Sequence, residues 1–177
     1  MNRETFKNEI KKFHLCKGAR FCEYFNMISF NWCCAFVSYC MREIAHLYDF
    51  PKTASCSSLK GKMLVANKVN TDFKSAEVGD IILFETINPD DGPDHVGIVI
   101  ENDVNGKLLT LIEGNTGNND HSKSKVEFYK YPYNHPSFDC IIDMSSYFTD
   151  DVKPKDINYD ELLDKIKKIK EILATIE

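Results

Sequence analysis

The sequence contains no run of about 18 apolar residues, which excludes a membrane-spanning helix. With only 8 glycines and 6 prolines in 177 residues, it also lacks the composition of collagen-like and low-complexity chains. It has no excess of basic residues, and its net charge of −5 argues against general binding of DNA or RNA. The chain is 43% hydrophobic and 28% charged, which suffices for one folded domain with a core.

Metal-binding patterns are missing as well. The cysteines form no Cys-x-x-Cys motif and no Asp-x-Asp-x-Asp loop occurs, so we expect no structural zinc, no regular calcium site and no cofactor. The chain does not start with a basic segment followed by an apolar one, so we expect synthesis in a reducing cytoplasm without a signal peptide. Most thiols are therefore interpreted as reduced packing residues: Cys16, Cys22, Cys33, Cys34, Cys40, Cys56 and Cys140.

Charge is distributed unevenly along the chain. Between residues 77 and 120 there are ten acidic side chains and one basic side chain. Acidic surfaces repel phosphate backbones and favour cationic groups. This stretch is either a solvated acidic edge of the fold or a surface that attracts a substrate with free amines.

Hydrophobic periodicity predicts helices first and strands afterwards. Apolar residues at helical spacing predict helices over Glu4–Phe13 and Trp32–Leu47, and residues 52–76 are expected to form a loop with a short helix. Apolar and β-branched runs then predict five strands, at residues 80–85, 95–101, 107–112, 126–131 and 138–142. This order favours an α+β fold with an antiparallel sheet.

The C-terminal segment is separate in character. Residues 149–157 are polar and are predicted to be a linker, whereas residues 158–177, with apolar residues at spacings of four and three, are predicted to form an amphipathic helix. Two heptads are short for a free coiled coil. The helix therefore packs back on its own domain, forms a homo-oligomer, or joins a further module.

Three segments carry residue types suited to nucleophilic catalysis. Cys33 is predicted to begin a helix, where the helix dipole and unpaired N–H groups stabilise a thiolate. His95 opens an apolar strand, where a neutral imidazole can accept a thiol proton. Glu113 and Asn115 end another strand on alternate positions, so their side chains are expected to share a face and to orient the imidazole. Taken singly, each segment has a structural alternative. The cysteines can be packing residues, the histidine can be structural, and the third segment can be an ordinary strand end.

The predicted hairpin between the last two segments imposes a geometric condition. A two-residue turn at Asn105–Gly106 sets His95 opposite Thr116 and directs Asn115 to the other face of the sheet. A catalytic hairpin therefore requires a loop of odd length or a β-bulge. Gly97, two residues after the histidine, predicts close approach of another element over the strand.

Four sequence blocks occur in the order found in one enzyme family, with 62 residues from Cys33 to His95 and 18 from His95 to Glu113. Together they resemble the CHAP family, the cysteine, histidine-dependent amidohydrolases/peptidases of the NlpC/P60 superfamily. The blocks are Trp32–Cys40, Gly79–Phe84, His95–Val99 and Ile112–Asn115. The resemblance extends over roughly residues 5–145, and the catalytic domain is predicted to span residues 1–148.

The resemblance implies a papain-like fold in which the cysteine helix packs on an antiparallel sheet. It implies that Cys33 is the nucleophile, His95 the general base and Glu113 the orienting group, with Asn115 assisting. Trp32, Asp91 and Asp94 are expected to contact substrate. Asp94 stands where the family usually has a small residue. Cys34 next to the nucleophile is also unusual, although adjacent cysteines rarely bridge without strain.

The expected activity is hydrolysis of an amide bond in peptidoglycan, by an N-acetylmuramoyl-L-alanine amidase or a stem or cross-bridge endopeptidase. A thioester acyl-enzyme is the expected intermediate. Such an enzyme is expected to act like a phage endolysin, released through a holin, or to be delivered by a secretion system. Two alternatives remain: a cytoplasmic cysteine amidase or peptidase acting on a soluble peptide amide, and a wall-binding module without catalysis.

Overall fold

The computed structural model describes residues 1–87, 92–117, 120 and 123–148. In this part of the chain, four α-helices come first and six strands follow. The helices are α1 (Arg3–Lys11), α2 (Ala19–Glu23), α3 (Cys33–Tyr39) and α4 (Cys56–Val65). The strands are β1 (Val69–Asn70), β2 (Ile81–Phe84), β3 (His95–Asp103), β4 (Leu108–Thr116), β5 (Lys125–Pro132) and β6 (Phe138–Ile142). The predicted linker and C-terminal amphipathic helix lie outside the described residues.

The six strands form one sheet in the order β1-β6-β2-β3-β4-β5, and every neighbouring pair is antiparallel. The predicted α+β class and antiparallel sheet are therefore confirmed, and all five predicted strands are present. The two-residue strand β1 was not predicted, because a strand this short has too few residues to show alternation. No helix within the described ranges is both long and apolar enough to cross a bilayer.

The helices follow the predicted pattern with one difference. In α1 the side chains of Phe6 and Ile10 are fully buried, and Asn2 caps the helix by accepting a hydrogen bond from the Thr5 N–H at 2.7 Å. The helix predicted over Trp32–Leu47 instead changes character at Cys40–Ile44, which is a π-helical turn. Apolar spacing over a single turn does not distinguish this turn from α-helix.

The hairpin of β3 and β4 contains a bulge, as the sequence requires for a catalytic hairpin. The turn spans the four residues 104–107 rather than the predicted two, because Asp103 and Leu108 form the last pair before it. Farther along, the register shifts between Val99 and Glu101 so that Gly97 lies opposite Glu113. Directly paired residues point to the same face, and so do residues two positions apart along a strand. The bulge therefore brings the Glu113 side chain to the face of the sheet that carries the residue at position 95.

The core has one part on each face of the sheet. On one face the helices pack against buried strand residues such as Ile98 and Ile112, and Phe36 of α3 is fully buried there. The opposite face carries a smaller apolar cluster, against which Tyr131 and Phe138 pack. The helix layer thus fixes the start of α3 against the middle of the sheet, near the first residue of β3.

A buried ion pair connects the N-terminal helix to the sheet. Arg3 on α1 contacts the Asp80 carboxylate at 3.2 Å, and both side chains are almost completely buried. Asp80 also accepts hydrogen bonds from the backbone N–H groups of Glu77 and Met144, at 2.9 and 3.0 Å. This carboxylate therefore joins α1, the start of β2 and the segment after β6.

Candidate active site

Cys33 is the first residue of α3, as predicted, and its side chain is almost completely buried, with 3% of the residue exposed. Its thiol points to the main chain before β3 and donates to the Asp94 carbonyl oxygen over 3.9 Å. It also interacts with the side chains of His95 and Cys56. The nucleophile candidate thus lies where α3, α4 and the start of β3 meet.

His95 and Glu113 form a direct pair across the β3–β4 hairpin. The His95 Nε2 atom lies 2.7 Å from the Glu113 Oε2 atom, and the Glu113 side chain is 2% exposed. Since Nε2 faces Glu113, the other ring nitrogen is the one available to the Cys33 thiol. The three side chains therefore form a chain of contacts in the order cysteine, histidine, carboxylate.

Gly97 makes this pair possible. A Cβ atom at position 97 would lie only 2.8 Å from Cγ of Glu113 and 3.2 Å from Cβ of Leu111. The Glu113 side chain thus crosses β3 directly over the glycine to reach His95. The close approach that the sequence predicts at Gly97 is confirmed.

The pKa values of Cys33 and His95 follow from these contacts. The Cys56 contact and burial raise the pKa of the Cys33 thiol well above its ordinary value, while His95 acts in the opposite direction. Burial disfavours the His95 imidazolium, but its hydrogen bonds and charge interactions with Cys33 and Glu113 outweigh burial and raise its pKa to about 10. Burial and the Cys56 contact thus favour the protonated form of Cys33, whereas its partners favour the charged form of His95. The direction of the Cys33 pKa shift is therefore opposite to the one expected from the helix start alone.

Asn115 lies beside the same site but not in the arrangement expected from strand alternation. The pairing of β4 with β5 shifts between Glu113 and Thr116, and Asn115 has a φ of 62°. Its side-chain amide donates to Asn31 Oδ1 over 3.5 Å, just before α3. This bulge thus interrupts the regular alternation that the sequence predicts between Glu113 and Asn115.

Of the three residues expected to contact substrate, Trp32 belongs to the core. It is fully buried and stacks on Phe21, with ring centroids 5.3 Å apart. Because none of its surface is exposed, the indole does not line an open cleft. Asp91 lies outside the described residues.

Asp94 holds the chain that follows β2. Its carboxylate accepts hydrogen bonds from the backbone N–H and hydroxyl of Thr86 and from the Ile87 N–H, at 2.7 to 3.1 Å. These contacts give the carboxylate a structural function next to His95. Its contact with substrate remains a prediction.

The acidic stretch from residue 77 to 120 is largely used within the protein. Each of its eight described carboxylates contacts another group of the chain. For example, Glu101 accepts a hydrogen bond from Thr110, and Asp120 forms an ion pair with Lys123. Only Asp90 and Asp91 lie outside the described residues. A preference for amine-bearing substrates would therefore depend mainly on those two carboxylates.

Two further residues next to the site were not predicted. Cys56, the first residue of α4, contacts both Cys33 and Cys34, and Tyr131 on β5 interacts with Glu113. Neither stands in a local motif, and both are brought to the site by long-range packing. Within the described residues, no three His, Cys, Asp or Glu side chains are grouped as metal ligands.

The sequence is similar to one known protein family. A family model described as CHAP domain matches residues 24–115, slightly more than half of the chain. Cys33, His95, Glu113 and Asn115 all fall inside the matched segment, whereas β5 and β6 follow it. No curated protein and no solved structure matches the chain significantly.

Proposed function

Because the chain belongs to the CHAP family of cysteine, histidine-dependent amidohydrolases and peptidases, we propose that it hydrolyses an amide bond of bacterial peptidoglycan with Cys33 as the nucleophile. The observation that carries the proposal is the contact chain from Cys33 through His95 to Glu113, with 2.7 Å between the imidazole and the carboxylate. The α+β architecture, with a six-stranded antiparallel sheet behind α3, is compatible with a papain-like fold.

In the proposed mechanism, His95 is the general base and later the general acid. It takes the proton of Cys33, and the thiolate attacks the amide carbonyl to give a thioester. His95 then protonates the leaving amine, and water hydrolyses the thioester. Glu113 holds the ring and stabilises the imidazolium formed during attack, because its buried carboxylate lies next to Nε2.

The negative oxygen of the tetrahedral intermediate needs donors close to Cys33. The first backbone N–H groups of α3 have no partner within the helix, so the N–H of Cys33 is available for this role. We propose that Asn115 assists in the polar site together with Asn31, to which it donates a hydrogen bond. These groups require no metal ion.

Peptidoglycan is the proposed substrate because CHAP domains commonly act on it. Both candidate bonds, the muramoyl–alanine amide and an amide of the stem or cross-bridge, suit attack by the same thiolate. The enzyme would reach the wall after holin-dependent release or secretion. Asp90 and Asp91, the two carboxylates without a described contact, are the proposed site for free amines on the stem or cross-bridge.

The test is digestion of purified peptidoglycan sacculi, with mass spectrometry of the released fragments. Wild type and Cys34→Ala are expected to release fragments, whereas Cys33→Ala is expected to release none. Cys34 is a matched control because it is the neighbouring buried thiol and donates to the Thr53 carbonyl oxygen at 3.4 Å. New alanine amino termini would identify an amidase, and shortened or separated stems an endopeptidase.

Two outcomes would contradict the proposal. If wild type releases nothing while a thiol-reactive probe labels Cys33, the substrate is a different amide, as in the cytoplasmic amidase alternative. If Cys33 also fails to react with the probe, the alternative of a wall-binding module without catalysis is favoured instead.

A further inference from the structure

One oxygen of the Glu113 carboxylate has no hydrogen-bond partner among the residues that the structure describes. Oε2 lies against His95, but Oε1 is buried and accepts no hydrogen bond of good geometry from the described residues. A buried carboxylate oxygen without a donor destabilises the folded state, and it leaves the carboxylate free to rotate about its last bond. A donor close to Oε1 would remove both disadvantages.

Tyr131 lies on the correct face of the sheet to be that donor. In the β4–β5 ladder, Leu109 pairs with Tyr131 and Glu113 pairs with Glu127, so all four side chains point to one face. The Tyr131 ring packs on Phe84, with centroids 5.3 Å apart. The same Phe84 ring lies 5.5 Å from the His95 ring, so Tyr131 and His95 flank one aromatic side chain.

The Tyr131 phenol also interacts electrostatically with the Glu113 carboxylate. Burial and the interaction with Glu113 raise the pKa of this phenol well above its ordinary value. The hydroxyl therefore keeps its proton throughout the physiological range and is able to donate.

We propose that Tyr131 is a positioning residue, whose hydroxyl donates to Glu113 Oε1 and thereby holds the carboxylate against His95. The proposal rests on the proposed function, because it describes how the base of that reaction is oriented. Tyr131 does not touch the reacting atoms. It acts through Glu113, and a small rotation of the two side chains completes the hydrogen bond.

The variant Tyr131→Phe tests this role, and Tyr129→Phe is the matched control. Tyr129 lies two residues earlier on the same strand and face, and its hydroxyl donates instead to Glu127 at 2.9 Å. Both variants keep the aromatic ring, and thermal unfolding checks that both remain folded. Tyr131→Phe is expected to lower kcat roughly tenfold with KM changed less than about twofold, while Tyr129→Phe stays within about twofold of wild type.

The pH profile separates positioning from a general loss of structure. The titratable groups that interact with His95 or Glu113 are Cys33, Tyr129 and Tyr131, and the His135 ring lies 4.9 Å from the Tyr131 ring. If the carboxylate rotates away in Tyr131→Phe, His95 loses stabilisation of its imidazolium. The rising limb of activity against pH then moves to lower pH. A limb that is unchanged or moves to higher pH, or a kcat like that of wild type, overturns the proposal.

A measurement without substrate keeps this test independent of the proposed function. The alkylation rate of Cys33 by iodoacetamide is followed against pH on the Cys33 peptide by mass spectrometry. If this profile moves in Tyr131→Phe but not in Tyr129→Phe while no variant digests peptidoglycan, the positioning role stands and the substrate assignment fails. If the profile does not move, the positioning role fails whatever the substrate is.

Discussion

Replacing Gly97 by alanine is the smallest change that should break the His95–Glu113 pair. The new Cβ atom would lie 2.8 Å from Cγ of Glu113, and 3.2 and 3.3 Å from two carbon atoms of Leu111. Carbon atoms of different residues prefer a separation of about 3.5 to 4.0 Å. The Glu113 stem must therefore move by roughly 1 Å, and it cannot do so freely because its carboxylate is buried against His95.

The size of the effect follows from the geometry. A displacement of roughly 1 Å lengthens the contact between the His95 and Glu113 side chains, now 2.7 Å, beyond normal hydrogen-bonding distance. Misplacement of a catalytic group by this amount lowers kcat by about 100-fold. Overpacking of the buried site is expected to reduce the free energy of unfolding by about 1 to 3 kcal/mol.

The assay compares Gly97→Ala with Gly61→Ala. Gly61 lies in the exposed part of α4 and a Cβ atom there would meet nothing within 4 Å, so this variant should keep activity and gain up to about 1 kcal/mol of stability. Activity, urea unfolding and the pH profile of Cys33 alkylation are measured for both.

Combining Gly97→Ala with a second substitution shows whether its loss of stability is caused by the clash with Glu113. In a Glu113→Ala chain the main clash is absent, so adding Gly97→Ala should cost much less stability than it does in wild type. Wild-type activity in Gly97→Ala, or an equal loss of stability in both backgrounds, would refute the reasoning.

The remaining predictions concern charge. Glu113→Gln should lower the pKa of His95 from about 10 towards its ordinary value of 6.5, moving the rising limb of activity to lower pH while the maximal rate falls by about tenfold or more. Because this pKa is raised in the folded state, its stabilisation is complete below about 6.5 and is lost as the pH rises through about 10; urea unfolding should show this loss in wild type but not in Glu113→Gln. Asp80→Ala removes the buried carboxylate that pairs with Arg3, leaving the more exposed Glu77 carboxylate at 3.3 Å, and should reduce the free energy of unfolding by up to about 3 to 5 kcal/mol, measured by denaturant titration. Asp94→Ala removes the acceptor that holds the segment after β2, and protease cleavage there should become faster without a large change in global stability.

The local hydrophobic pattern is sufficient to predict the main helices and strands of this fold, because their buried faces follow a regular spacing. Phe6 and Ile10 are spaced for one face of α1, and β2 is an uninterrupted apolar run that is buried throughout. The start of α3 at Cys33 was likewise predictable. These features depend on neighbours in the sequence, so the sequence predicts them without knowledge of the tertiary fold.

The surroundings of the thiol were not predictable in the same way. Cys56 reaches Cys33 only because the first residue of α4 lies against the first residue of α3, and the resulting contact raises the pKa of the Cys33 thiol. Burial of the Trp32 ring against Phe21 is also a tertiary effect. A cysteine at a helix start predicts a stabilised thiolate when it is exposed, but burial among other thiols reverses that direction.

The site depends on two interruptions of regular pairing, one on each side of β4. If the pairing of Asp103 with Leu108 continued without a bulge, Glu113 would lie opposite Ile98 and point away from His95. The register shift in β3 between Val99 and Glu101 places Glu113 opposite Gly97 instead, so its side chain points to the same face as His95.

The second interruption, between β4 and β5, has the complementary effect. It follows Glu113 directly and gives Asn115 its positive φ, so the asparagine contacts the segment before α3 instead of continuing along the strand. One bulge thus places the Glu113 carboxylate behind the His95 imidazole, and the other places the Asn115 amide near the start of α3. An uninterrupted ladder of the same residues would provide neither, which explains why an active site on this sheet requires strands that pair imperfectly.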